Sequence, residues 1–390
     1  MTAQPGPPRD LRIEMVLPSM PTAGMEVMVA RMVRGLLARG HHVGVTCIES
    51  RGELGEELAD EGVRVMLVPT PGLATILRAP ALDAWLARSG ADVVHVHSGA
   101  WLKASGAARR AGLPSVATVH GLLAPEPWHG PPLMHWAGRR THTVVAVTAS
   151  LADYLNRVAR IPRHRLVVIP NGIGTDAFTP GGYSGAVRGR IGIADGAPLV
   201  GHVARLDDVK NQPLLLEAFA LARRHVPDAM LAIVGEGAMR PALEERIDAL
   251  GLRGVAHLLG AERDVAPVYR DFDLFVLSSR TEGTSMSMLE AMSTGVACVA
   301  TAVGGNPALL DHGRAGLLTP ADDAAALGDA MATLLLDRRR RAELAAAGRA
   351  RVMESYGDGA MLDAYTALYE RLLPARGGRN DQPRTEACVA

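Results

Sequence analysis

LRIEMVLPSMPTAGMEVMVARMVRGLLARGHHVGVTCI (residues 11–48) decides the architecture. Residues 11–17 are a short strand-type run. PSMPTAG is rich in turn formers, and residues 25–39 are a helical stretch closed by Gly40. Glycine just past the last turn is the expected stop, because it enters the left-handed conformation without steric cost. HHVGVTCI (41–48) is strand-like again. Further β-branched runs follow at VRVMLV (63–68), ADVVHVH (91–97), PSVATVH (114–120) and TVVAVT (143–148), with helical segments between most of them. Strands of buried composition alternating with helices predict an α/β fold, a parallel sheet covered on both faces.

RLVVIPNGIGTDAFTPGG (165–182) holds one more short strand, then a run of Gly, Pro and Asn without period, and reads as an interdomain hinge. The pattern restarts with APLVGHVARL (197–206), a helix at 213–225, AMLAIVGEG (229–237), a helix at 239–250 and VAHLLG (255–260). DLFVLSS (273–279), a helix at 285–294, VACVAT (296–301) and AGLLTP (315–320) complete a second series. Helices at 322–336, 338–354 and 358–373 follow, and the polar tail at 376–390 is expected to be disordered. Two such sheets in tandem place a cleft between them, and ligands bind beyond the carboxyl ends of the strands.

Composition bounds the function. The 390 residues are 48% apolar and 21% charged, which excludes global disorder, and with 4% aromatics the cores must rest on Leu, Val, Ala and Met. Lys+Arg and Asp+Glu both number 41, a balance that argues against a chain built to hold nucleic acid. The start has no apolar h-region, so no secretory signal is expected, and no apolar run approaches the roughly 20 residues of a membrane span. Cys47, Cys298 and Cys388 are far apart, with no Cys/His ligand spacing, so neither a disulfide framework nor structural zinc is expected. A cytoplasmic protein, soluble or attached to a membrane surface, is the expectation. Of the basic residues only Lys103 and Lys210 are lysines.

The strongest chemical segment is EGTSMSMLEAM (282–292), which follows a strand and opens a helix. Gly283 lets a ligand approach the backbone, Thr284 or Ser285 is a good N-cap, and the free amides after it suit a phosphate. Glu282 and Glu290 can line one cleft, where carboxylates accept hydrogen bonds from sugar hydroxyls better than they tolerate phosphate. Read alone, the segment is equally well explained as helix capping beside a solvated Glu. In VGHVARLDDVKNQ, Arg205 and Lys210 stand just past a strand end, where two cations can neutralise a diphosphate. The bland alternative is solvated loop charge. Gly24 at a helix start reads first as a tight turn. His120, ending a strand ahead of Gly121, could be a donor or proton shuttle, though a lone His is more often structural. Asp271-Phe272-Asp273 looks like a metal motif but sits at the amino end of its strand, so capping is expected. His95 and His97 share a strand face without a third ligand and are read as structural. Gly235-Glu236-Gly237 lacks the third glycine of a dinucleotide fingerprint.

Taken together in order, Glu282-x7-Glu290, ARLDDVKNQ, VGEG (234–237), PNGI (170–173) and VHG (119–121) resemble the family 4 glycosyltransferases. The resemblance spans about residues 10–375 and implies the GT-B architecture of two facing Rossmann-like domains with an interdomain cleft. It implies an acceptor-side domain at 10–170, a nucleotide-sugar donor domain at 183–355 and a C-terminal helix at 358–375 able to pack back on the first domain. The implied reaction is retaining transfer of a sugar from a nucleotide-diphosphate sugar to an acceptor hydroxyl, without a metal or other cofactor, in polysaccharide or glycolipid biosynthesis. By position, Arg205, Lys210, Gly283, Thr284, Ser285 and Gly24 would serve the diphosphate, and Glu290 the ribose. Glu282 and His120 would serve the transferred sugar as the catalytic pair, and Gly235, Glu236 and Arg263 would lie near the nucleotide. Partners implied are the donor, a sugar or lipid-linked acceptor and, because such acceptors are often lipid-linked, a peripheral membrane contact on the inner face.

The sequence departs from the family where Ala23-Gly24 replaces a glycine pair, and where Ala308 replaces an acid after Gly304-Gly305. Other classes on the same plan are a UDP-sugar 2-epimerase and a non-catalytic nucleotide-sugar-binding subunit. A phosphorylase would need a pyridoxal phosphate lysine, which neither Lys103 nor Lys210 is placed to be.

Overall fold

The computed structural model describes residues 10–22, 24–121, 130–194 and 196–374, so the tail expected to be disordered lies outside the described residues. Seven strands form the first sheet: β1 (Arg12–Leu17), β2 (His42–Cys47), β3 (Arg64–Leu67), β4 (Val93–His97), β5 (Ser115–Val119), β6 (Thr143–Ala146) and β7 (Leu166–Val168). All neighbours are parallel, in the order β3-β2-β1-β4-β5-β6-β7, with Arg12 opposite His42 and Ile13 opposite Val93. Six strands form the second: β8 (Leu199–Val203), β9 (Met230–Val234), β10 (Ala256–Gly260), β11 (Leu274–Leu277), β12 (Ala297–Thr301) and β13 (Leu317–Thr319). Their order, again parallel, is β10-β9-β8-β11-β12-β13.

Alternation along β1 explains the layering. Ile13, Met15 and Leu17 face a core shared with the helix Gly24–Ala38, while Val16 faces the opposite core with Trp101 and Ala104. Element ends are trimmed where side chains capture the backbone. The strand expected at 197–206 shrinks to β8 because Leu199 N donates to Asp273 and the chain turns away after Val203. The helix expected to reach 225 ends at Ala222, and Arg223 Nε closes the following turn on Ala229 O at 3.1 Å.

The chain crosses between its halves twice. On the return, Ile173 N donates to Tyr356 O at 2.8 Å and Asp358 N to Ile173 O at 3.0 Å. The helix Asp358–Leu372 then lies in the core of the first sheet, burying Met361, Leu362, Tyr365, Leu368 and Tyr369. Each such side chain removed from water contributes roughly 1.5–3 kcal/mol. Tyr369 OH and His95 Nδ1 are 2.7 Å apart, His95 Nε2 and Thr118 Oγ1 2.7 Å, and Thr118 Oγ1 and Tyr365 OH 2.9 Å. His95 is thus a buried structural group. Asp271 is likewise a cap, its carboxylate accepting from the backbone of Ser184, Gly185, Val187 and Arg188.

Candidate active site

Strand order dictates where chemistry converges. β8 lies beside β11, so the loop after each leaves the carboxyl edge of the second sheet as a neighbour of the other. Lys210, from the first loop, holds Nζ 2.6 Å from Oε1 of Glu282, from the second, with only 19% and 7% of their side chains exposed. Ser279 Oγ donates to the same Oε1 at 2.6 Å, and Ser278 Oγ ties the loops by donating to Lys210 O at 2.9 Å.

Ser285 starts the next helix, Met286–Ser293. Its backbone is extended and its Oγ accepts from Met288 N, so it is the N-cap. The first amides of that helix lack intrahelical acceptors and present the positive end of its dipole. Gly283 is required by contact, since a Cβ there would lie 2.2 Å from the carbonyl oxygen of His120. Thr284 Oγ1 donates to Val147 O at 2.9 Å. The motif loop therefore abuts the ends of β5 and β6 across the cleft. Behind it, Gly304 (φ 53°) leaves no space: a Cβ would lie 1.8 Å from Glu282 O, and one at Gly305 2.3 Å from Gly283 O. The sequence singled out Gly304-Gly305 only for the acid missing after them; their work as a backing for Glu282 and Gly283 is visible only in the fold.

Glu290 sits deeper, its Oε2 accepting from Tyr269 OH at 2.7 Å. Burial pushes its carboxyl up to about 7, opposed by the Tyr269 hydrogen bond and by the Arg31 guanidinium from the first half. Arg31 is itself held by Asp358 at 2.5 Å. Neither Tyr269 nor Arg31 carries a local motif signal, and both were missed. His120 Nε2 lies 3.0 Å from His97 Nδ1. Burial pushes the His120 imidazole down to about 4, against a hydrogen bond with the Asn171 side chain, so the ring is neutral at pH 7. As a neutral ring it offers a substrate one donor and one acceptor nitrogen. Asn171 belongs to the PNGI segment, whose signal was present without a role.

Arg205 is 74% exposed and pairs with Asp207 at 3.0 Å. Burial raises the carboxyl of Glu26, in the first turn of the helix that Gly24 begins, and a backbone hydrogen bond and then the Arg205 charge work against that rise. Nothing crowds a Cβ at Gly24, and Ala23 lies outside the described residues. Gly235 (φ 145°) and Gly237 press on the Arg205 loop: added Cβ atoms would lie 1.9 Å from Ala204 O and 2.3 Å from Leu206 O. Glu236 turns to Arg240 at 2.7 Å, and Arg263 is exposed. Neither shares a hydrogen bond or ion pair with the Lys210–Glu282 group. Among the described residues no group of three His, Cys, Asp or Glu could hold a metal ion.

Two facing parallel-sheet domains, with cations, a carboxylate and a helix N-terminus gathered at the switch point of the second, define a GT-B framework. Residues 22–177 match Glycosyltransferase Family 4 and residues 186–351 match Glycosyl transferases group 1. A D-inositol 3-phosphate glycosyltransferase of Xylanimonas cellulosilytica is 30% identical over 90% of this chain and 93% of its own length. A GDP-mannose-dependent alpha-(1-6)-phosphatidylinositol monomannoside mannosyltransferase of Mycolicibacterium smegmatis is 31% identical over 81% of this chain and 86% of its own. In fold the chain resembles Anabaena Alr3699/HepE in complex with UDP, with a TM-score of 0.82 at 21% identity over 93% of this chain and 100% of that one. The chain belongs to the family 4 glycosyltransferases and is an enzyme of the GT-B class.

Proposed function

We propose that the enzyme moves a sugar from a nucleotide-diphosphate sugar to an acceptor hydroxyl with retention of configuration, in glycolipid or polysaccharide assembly. The carrying observation is the Lys210–Glu282 pair, 2.6 Å apart at the switch point beside a capped helix start. In the reaction the bond from the anomeric carbon to the diphosphate breaks, and negative charge grows on the leaving oxygen. Lys210, Arg205 and the amides at Gly283, Thr284 and Ser285 supply fixed positive charge and donors for it. Glu282, freed from Lys210 as the phosphates draw the ammonium away, remains oriented by Ser279 and accepts from the sugar hydroxyls. The acceptor oxygen attacks on the face from which the diphosphate leaves, and its proton passes to the departing phosphate oxygen. His120 contributes a neutral hydrogen bond to the sugar, and Glu290 accepts from the ribose.

The donor class is supported by UDP in the Anabaena neighbour and GDP-mannose in the name of the mycobacterial relative. Both named relatives act on inositol-based acceptors, which supports a phosphorylated polyol or lipid-linked acceptor here. Among the described residues no helix is long and apolar enough to cross a membrane, so a lipid-linked acceptor would be met at the bilayer surface. Thermal shift with UDP- and GDP-sugars should identify the donor, because a bound donor stabilises by mass action. NMR of the product's anomeric proton then reads the stereochemistry. Inverted product, or turnover of donor to an epimer without acceptor, would overturn the reading.

A further inference from the structure

At the far edge of the second sheet a cavity of about 260 Å³ is lined by Arg270, Arg338 and Arg341, with Tyr183, Phe272 and Asp273 among its other walls. It opens at the amino ends of β11 and β12, so the length of the strands separates it from the Lys210–Glu282 pair. Its charge is unbalanced. Arg270 is part-buried, and its Nε is enclosed without a hydrogen-bond partner. Among the described residues, the side chains of Arg270 and Arg338 have no ion-pair or hydrogen-bond partner. Arg341 spends Nη1 on the carbonyls of Leu334 and Leu335, at 2.9 and 3.2 Å, and its Nη2 stands 3.9 Å from Asp273. Asp273, the carboxylate in the wall, is already engaged by Arg188 at 2.5 Å, Tyr183 OH at 2.9 Å and Leu199 N at 2.8 Å. Nor is the adjoining helix start the attraction, since Asp337 caps it by accepting from Arg340 N at 2.9 Å.

We propose that this cavity is a second anion site, distinct from the donor cleft, that takes a small phosphate-bearing anion. Guanidinium forks match phosphate oxygens pairwise, and the terminal nitrogens of Arg270 and Arg338 have no competing partner among the described residues. The volume falls below the roughly 300–1,000 Å³ of sites for drug-sized ligands, which favours phosphate or diphosphate over a whole nucleotide. Gly181 and Tyr183, in the segment joining the halves, share the wall, so a bound anion braces that segment.

The test must silence the donor cleft, which also attracts phosphate. Full-length chain carrying Lys210→Gln is titrated calorimetrically with inorganic phosphate and with pyrophosphate at fixed ionic strength. Adding Arg338→Gln or Arg270→Gln should weaken that binding roughly 10-fold or more, as expected for losing a charge-assisted bond. In chain with Lys210 intact, Arg338→Gln should leave UDP and GDP affinity within about twofold, since the two sites share no residue. Arg338 is exposed, so its substitution carries the test even if Arg270→Gln fails to fold. The proposal is overturned if the Lys210→Gln protein binds neither anion better than chloride, or if both arginine variants bind as tightly as their parent.

Discussion

Replacing Glu290 with Gln should alter how stability depends on pH. Burial holds the Glu290 carboxyl at about 7 against an ordinary 4.5. A raised folded-state value means that the folded chain keeps a proton that the unfolded chain releases. The stabilisation is full below 4.5 and is lost as pH climbs through about 7. The interval from 4.5 to about 7, at about 1.4 kcal/mol per pH unit, amounts to about 3 kcal/mol, most of it falling between pH 5 and 8. Gln keeps the shape, can still accept from Tyr269 OH and does not titrate. Melting temperatures of both proteins across pH 5–8.5 should therefore show the variant gaining on the wild type by roughly 3–4 °C as pH rises. A difference in melting temperature that stays constant across that range would refute the assignment of a buried, proton-holding carboxyl to Glu290.

Lys210→Ala should lower transfer by roughly 10²-fold, as for other single charge-stabilising groups, and near-wild-type turnover would sink the diphosphate role. Gly283→Ala places a Cβ 2.2 Å from His120 O and should cost roughly 10²-fold in kcat by displacing the motif loop; an active enzyme with native circular dichroism would contradict that contact. Tyr369→Phe leaves buried His95 Nδ1 without its 2.7 Å partner and should cost about 1–2 kcal/mol in denaturant unfolding; unchanged stability would count against the network. If the cations and amides serve the diphosphate as proposed, a chelator should leave the rate unchanged, and a loss restored by added metal would bring Asp271 and Asp273 back into consideration.

What the sequence conveyed was local and periodic. Strand–helix alternation, the Gly40 stop and the strand–loop–helix context of Glu282 are all set within a few residues, so both sheets and the motif loop were legible. Lys210 and Glu282 were placed in one site by the family resemblance, and the fold supplies the physical reason, since strand order at the switch point makes their loops neighbours. Contacts that join distant segments were not legible. Tyr269 reaches Glu290 across 21 positions, and Gly304 presses on Glu282 from a separate strand end. Neither leaves a spacing to read. The neutrality of His120 was hidden for the same reason, because it comes from burial, which outweighs the opposing hydrogen bond with Asn171, and not from its neighbours in the chain.

The helix Asp358–Leu372 has a consequence for how the molecule is made. It supplies Tyr365 and Tyr369 to the first sheet, yet it follows the whole second sheet in the chain and leaves the ribosome after it. The first sheet must wait, with one wall of its core missing, while the whole second half is synthesised. A stop codon anywhere between β7 and residue 358 should therefore leave an unsealed first half, a natural client for chaperones, even though every one of its strands is present.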